Sequence, residues 1–89
     1  MKNFEETKMN AYNRVKNEIE NALKNGMLLN IKGLRAAIKD YSHRINVLEH
    51  GAAQDFFMTE EKADLVNDRL AEYSGRRQAL REYLAVITK

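Results

Sequence analysis

The 89-residue sequence predicts an all-α fold, a three-helix bundle built on a long antiparallel helical hairpin with the third helix longest. Three observations carry that expectation. Large apolar residues recur at alternating spacings of three and four in three separate segments, the pattern of one helical face. Proline is absent, and Gly26 and Gly51 fall where the pattern stops. Each segment also opens on a residue able to cap a helix: Asn3, Asn30 or Thr59.

The first helix is expected over about 3–25. Asn3 followed by Glu6 has the spacing of a capping box, and Glu5 and Glu6 suit the positive end of the helix dipole. Tyr12, Val15, Ile19 and Ala22 form the apolar stripe, which Leu23 widens. Arg14/Glu18, Lys16/Glu20 and Glu20/Lys24 stand four apart on the other side, where each pair adds roughly 0.2–0.5 kcal/mol and keeps that face in water. Gly26 is read as a left-handed stop.

The second helix, about 30–50, has the most regular pattern. Ile31, Leu34, Ile38, Tyr41, Ile45 and Leu48 hold the alternation without a miss, which calls for a neighbouring helix at a small crossing angle. Gly51 is expected to end it, leaving a connection over 51–59. The third helix, about 60–88, carries Ala63, Val66, Leu70, Tyr73, Leu80, Leu84 and Ile87 in one register. Arg77 occupies a position where that register asks for a large apolar residue. Ser74-Gly75 precedes it and admits a bend, but the register is the same on both sides, so one continuous helix of about 40 Å is the preferred reading. The third helix outlasts its neighbours, and Tyr83, Leu84 and Ile87 are expected to project beyond them. Such a projecting stripe leaves monomer and homodimer both open.

Bulk composition bounds the rest. The chain makes a single helical domain, residues 1–89. With 44% hydrophobic and 31% charged residues it is too apolar for disorder and too polar for a membrane span. No apolar run follows the lysine of MKNFEETK, so the start does not read as a secretory signal and a cytoplasmic setting is expected. Without cysteine there are no disulfide staples, so the domain relies on its core, a partner or self-association. Fifteen basic and thirteen acidic side chains nearly balance, a weak argument for nucleic acid.

No pattern for chemistry emerges. The acidic side of the third helix, Glu61, Asp64, Asp68 and Glu72, reads as a solvated face, which does not shift a carboxyl enough for acid–base work. His43 and His50 stand two turns apart, about 10 Å, too far to share an ion. Neither a nucleophile with its base nor a glycine-rich phosphate loop is present, so no enzyme, cofactor, metal or small-molecule substrate is expected.

What remains is contact with another macromolecule. The expected function is a non-enzymatic protein–protein interaction module, an adaptor, inhibitor or assembly subunit of the kind viruses and mobile elements often encode. Arg76, Arg77, Arg81 and Tyr83 on the third helix are the expected contacts, with Phe57 and Met58 at the hairpin end. Aromatic and arginine side chains are efficient anchors. Phe56 and Phe57 adjoin and cannot both enter one seam, so a short turn of helix is expected to send Phe56 inward to close the hairpin and leave Phe57 or Met58 across the bundle end. The alternative is nucleic-acid binding through Lys62, Arg69, Arg76, Arg77 and Arg81, weakened by Glu82 and the acidic residues among them. Membrane attachment is not expected, because the polar side of the third helix is not uniformly basic.

Overall fold

A computed structural model describes residues 3–55 and 57–88, and among them the only regular structure is helical. Helix α1 spans Phe4–Lys24, α2 spans Ile31–Gln54 and α3 spans Glu60–Ile87, the longest of the three. All three expected caps form. Asn3 Oδ1 accepts from the Glu5 amide at 2.9 Å, Asn30 Oδ1 from Lys32 at 2.8 Å, and Thr59 Oγ1 from Lys62 at 3.1 Å. Each satisfies a donor that the first turn leaves without a helical partner.

Gly26 ends α1 with φ at 77°. Its amide donates to the Leu23 carbonyl and the Met27 amide to that of Ala22, both at 3.0 Å. These two bonds are the usual closure of a left-handed glycine stop. Gly51 does not end α2. The helix runs on to Gln54, and Asp55 closes it, so the connection shrinks to 55–59. A mid-helix glycine costs only about 1 kcal/mol, and Ala52 and Ala53, strong helix formers, follow it at once. α3 passes through Ser74-Gly75 without interruption.

Contacts fix the directions. Thr7 meets Asp68, Ala11 and Tyr12 meet Gly75, and Tyr12 meets Glu82, so residue numbers on α1 and α3 rise together and these helices run parallel. On α2 the order reverses: Asp55 meets Lys62, Arg44 meets Tyr73, and Tyr41 and Ser42 meet Arg76 and Arg77. α2 and α3 therefore form the expected antiparallel hairpin.

The first helix departs from a simple three-cornered bundle. Among the described residues α1 and α2 each lie against α3, and their backbones nowhere approach one another. The cause lies in the positions α3 uses. Gly75 faces α1 and Arg77 faces α2, and two residues correspond to about 200° around a helix. The neighbours thus dock on nearly opposite sides of α3. The molecule measures 48 × 24 × 18 Å, with a radius of gyration of 15.0 Å. A compact chain of this length has about 12 Å.

The core is correspondingly thin. Among the described residues, Ala11, Leu34, Ile45, Ala71 and Ala79 are the buried apolar ones, accompanied by Gly75, and of these only Leu34 and Ile45 are large. Ala71, Gly75 and Ala79 stand four apart and make one smooth side of α3. A Cβ added at Gly75 would lie 2.2 Å from the Lys8 carbonyl oxygen, 3.0 Å from the Tyr12 nitrogen and 3.1 Å from Ala11 Cβ. Gly75 is thus the place where the backbones of α1 and α3 come together. The opposite side of α3 meets α2 through larger groups, with the Tyr41 and Tyr73 ring centroids 5.8 Å apart.

Two further expectations are corrected here. The C-terminal part of α3 does not project, because its parallel neighbour α1 reaches as far. Tyr83 is half-buried beside Ile19 and Leu23, and Leu84 and Ile87 are half-buried too. Nor is the acidic side of α3 simply solvated, since α1 docks beside it. Asp68 accepts from Thr7 Oγ1 at 3.4 Å, and Arg14 of α1 reaches Glu72 at 3.9 Å.

Candidate functional site

The expected contact residues separate into two groups. Arg76 and Arg77 are drawn into the hairpin. Arg76 donates to the Tyr41 hydroxyl at 3.5 Å and to Glu72 one turn earlier, and these acceptors, Tyr41 foremost, raise its guanidinium above the ordinary range against the opposing effect of burial. Arg77 donates to Ser42 Oγ at 3.2 Å. Burial lowers the Arg77 pKa, the nearby Arg81 lowers it further, and Glu49 opposes both. The polar misfit in the α3 stripe is therefore a half-buried arginine spanning the helices, with its aliphatic stem along the seam.

Arg81 is exposed and Tyr83 is half-buried against α1. At the hairpin end Phe57 is 93% exposed and Met58 is half-buried. The expectation that Phe56 turns inward falls outside the described residues. Asp55 organises this connection: its carboxylate accepts from the Phe57 amide at 3.0 Å and pairs with Lys62 Nζ at 2.6 Å. The Lys62 hydrogen bond is the larger cause, and the Phe57 amide the smaller, of a carboxyl pKa below its usual value.

The basic residues of the nucleic-acid alternative do not line up as a free strip. Lys62 is engaged by Asp55, Arg76 by Glu72 and Tyr41, and Arg77 by Ser42, while Arg69 and Arg81 are exposed. Phosphate contacts would need those guanidinium groups turned outward. His43 and His50 lie exposed on the outer side of α2. Among the described residues no three His, Asp or Glu side chains converge in a way that could hold a metal ion. No described helix is long and apolar enough to cross a membrane.

A different surface gathers apolar side chains. α1 and α3 finish at the same end, and the connection to α2 turns there. Leu23 is 43% exposed, Met27 58%, Leu28 97%, Ile31 40% and Val86 67%. Leu23 lies in the last turn of α1, Met27 and Leu28 in the connection, Ile31 opens α2 and Val86 lies in the last turn of α3, so no single periodic stripe announces them together. From this end a groove of about 250 Å³ runs down between α1 and α3, floored by Ile19, Leu23, Tyr83 and Val86. Tyr12, near its far end, donates its hydroxyl proton to Glu82. That bond raises the Tyr12 pKa and, helped by Gln78 and Lys16, lowers that of Glu82.

The sequence pattern does not predict this groove, because one of its walls depends on where α1 docks. The only signal for that docking is the small-residue series Ala71, Gly75 and Ala79. Comparison of the chain with models of known protein families, with curated proteins and with solved structures found no match.

Proposed function

We propose that this chain is a non-enzymatic protein-interaction module, an adaptor, inhibitor or assembly subunit, that works through the bundle end where α1 and α3 finish. The observation that carries this reading is the gathering of Leu23, Met27, Leu28, Ile31 and Val86 at one end, each substantially exposed. Scattered surface apolar residues need no explanation, but several brought to one end of a small polar chain are a reason to look for a contact surface there. The reading moves the emphasis away from Arg76 and Arg77, whose guanidinium groups are occupied within the hairpin, and keeps Tyr83 at the margin of the surface.

Affinity capture from the native cell, followed by mass spectrometry, tests it. The native chain should retain a stoichiometric partner, and Leu28→Asp should lose it. Val47→Asp, an equally apolar-to-charged change on a 56% exposed position of α2, should not. Retention of that partner by Leu28→Asp would place the contact elsewhere on the molecule.

A further inference from the structure

We propose that the occupant of the groove between α1 and α3 is a second copy of this chain, paired about a two-fold axis that crosses the groove near its middle. This rests on the reading of the adjoining bundle end as a protein contact surface and names its partner. Three observations support a copy as the occupant, the second of them favouring it over an unrelated protein.

The first is surface area. A compact chain of 10.3 kDa should expose about 5,400 Å². This one exposes 6702 Å². The excess, roughly 1,300 Å², exceeds the roughly 800 Å² that each partner gives to an interface of standard size. Elongation accounts for part of that excess. Apolar surface also lies at the groove, where Leu23 and Val86 stand open, and only two large apolar side chains of the described residues, Leu34 and Ile45, are buried.

The second is the charge on the groove's rim. Lys16 and Glu20, both exposed, stand one turn apart along its α1 edge, and Glu82 lies on the α3 edge near Lys16. A site for a strongly acidic or basic partner would carry one sign. Opposite signs one turn apart are instead self-complementary, because a two-fold axis between them sets Lys16 of one protomer against Glu20 of its partner, twice over. The same operation lays the Leu23 end of one groove over the Tyr12 end of the other.

The third is net charge. At +2 the chain carries too little charge for two copies to repel one another appreciably at physiological salt. A cysteine-free domain with so little buried side-chain volume also gains most from such burial.

Sedimentation equilibrium over micromolar to several hundred micromolar protein tests the proposal. The native chain should approach twice the 10.3 kDa protomer mass. Leu23→Glu and Val86→Glu, each at an exposed position, should weaken association at least ten-fold with circular dichroism unchanged, and Val47→Glu should leave it intact. A chain monomeric throughout, or a dimer indifferent to both groove variants, overturns the proposal. Carbodiimide cross-linking of mixed ¹⁵N-labelled and unlabelled native chain gives a reading independent of any variant. Lys16–Glu20 links joining labelled to unlabelled chains are expected, and Lys16 links confined within single chains contradict the pairing. If the native chain is monomeric yet a heterologous partner is captured and lost with Leu28→Asp, the self-pairing fails and the contact-surface reading stands.

Discussion

Ala71, Gly75 and Ala79 line the side of α3 that meets α1, whereas Tyr73, Arg77 and their register mates line the side that meets α2. On the first side nothing protrudes, and the two backbones close until Gly75 lies against the Lys8 carbonyl. On the second, rings and long side chains hold the helices apart: Tyr41 tilts on Tyr73, Arg44 lies 5.8 Å above the Tyr73 ring, and Arg77 reaches Ser42. The first interface gains dispersion from close approach, the second from buried side-chain area. They should therefore fail in opposite ways. One is broken by adding atoms and the other by removing them.

Truncation on the α2 side should have the largest effect. Ile45 is 4% exposed, and Ile45→Ala should cost about 2–5 kcal/mol in urea unfolding, the usual range for a large-to-alanine change in a core. Enlargement on the α1 side comes next. Gly75→Ala raises helix propensity by about 1 kcal/mol, yet its methyl meets backbone that cannot swing aside, so a net loss of about 1–3 kcal/mol is expected. A gain in stability on Gly75→Ala would break the comparison at once.

Smaller changes sharpen it. Thr59→Ala removes the α3 cap common to both interfaces and should cost about 1 kcal/mol by the same denaturation. Arg77→Leu replaces a half-buried guanidinium, disfavoured by burial and by Arg81, with the apolar residue the seam otherwise contains. Its stability should lie within about 1 kcal/mol of the native chain or above it.

The smallest effect is on pH dependence. The Asp55 carboxyl is held below its usual 3.8 by Lys62 and the Phe57 amide. Its contribution is complete above the unfolded value and is lost as pH falls through the lower folded value. Asp55→Asn should accordingly lower stability slightly at neutral pH, flatten the acid limb of a stability–pH curve below 3.8, and converge on the native chain at low pH.

These two interfaces also differ in how far the sequence discloses them. The hairpin was legible, because Leu34, Ile38, Tyr41 and Ile45 on one helix and Leu70, Tyr73 and Leu80 on the other are large and periodic. The continuity of α3 through Gly75 was legible for the same reason. The α1 interface was not. Ala11, Ala71, Gly75 and Ala79 contribute little to any count of large apolar residues, and Gly75 reads as a flaw in the helix until its neighbour is seen. Gly51 misled in the opposite sense, because a glycine without a left-handed conformation does not stop a helix that strong formers continue. The candidate site inherits the difficulty. Tyr83 was singled out from the sequence, but the groove in which it sits exists only because α1 runs beside α3 as far as Leu23. The sequence points to Arg76 and Arg77 as partner contacts, and the hairpin geometry engages both.

The placement of α3 between two helices that meet only through it is tested most directly by nuclear Overhauser contacts at Gly75. Its α-protons should show strong cross-peaks to the Ala11 methyl, alongside cross-peaks between the Tyr41 and Tyr73 rings. A Gly75 whose α-protons meet only α2 side chains or solvent would contradict it.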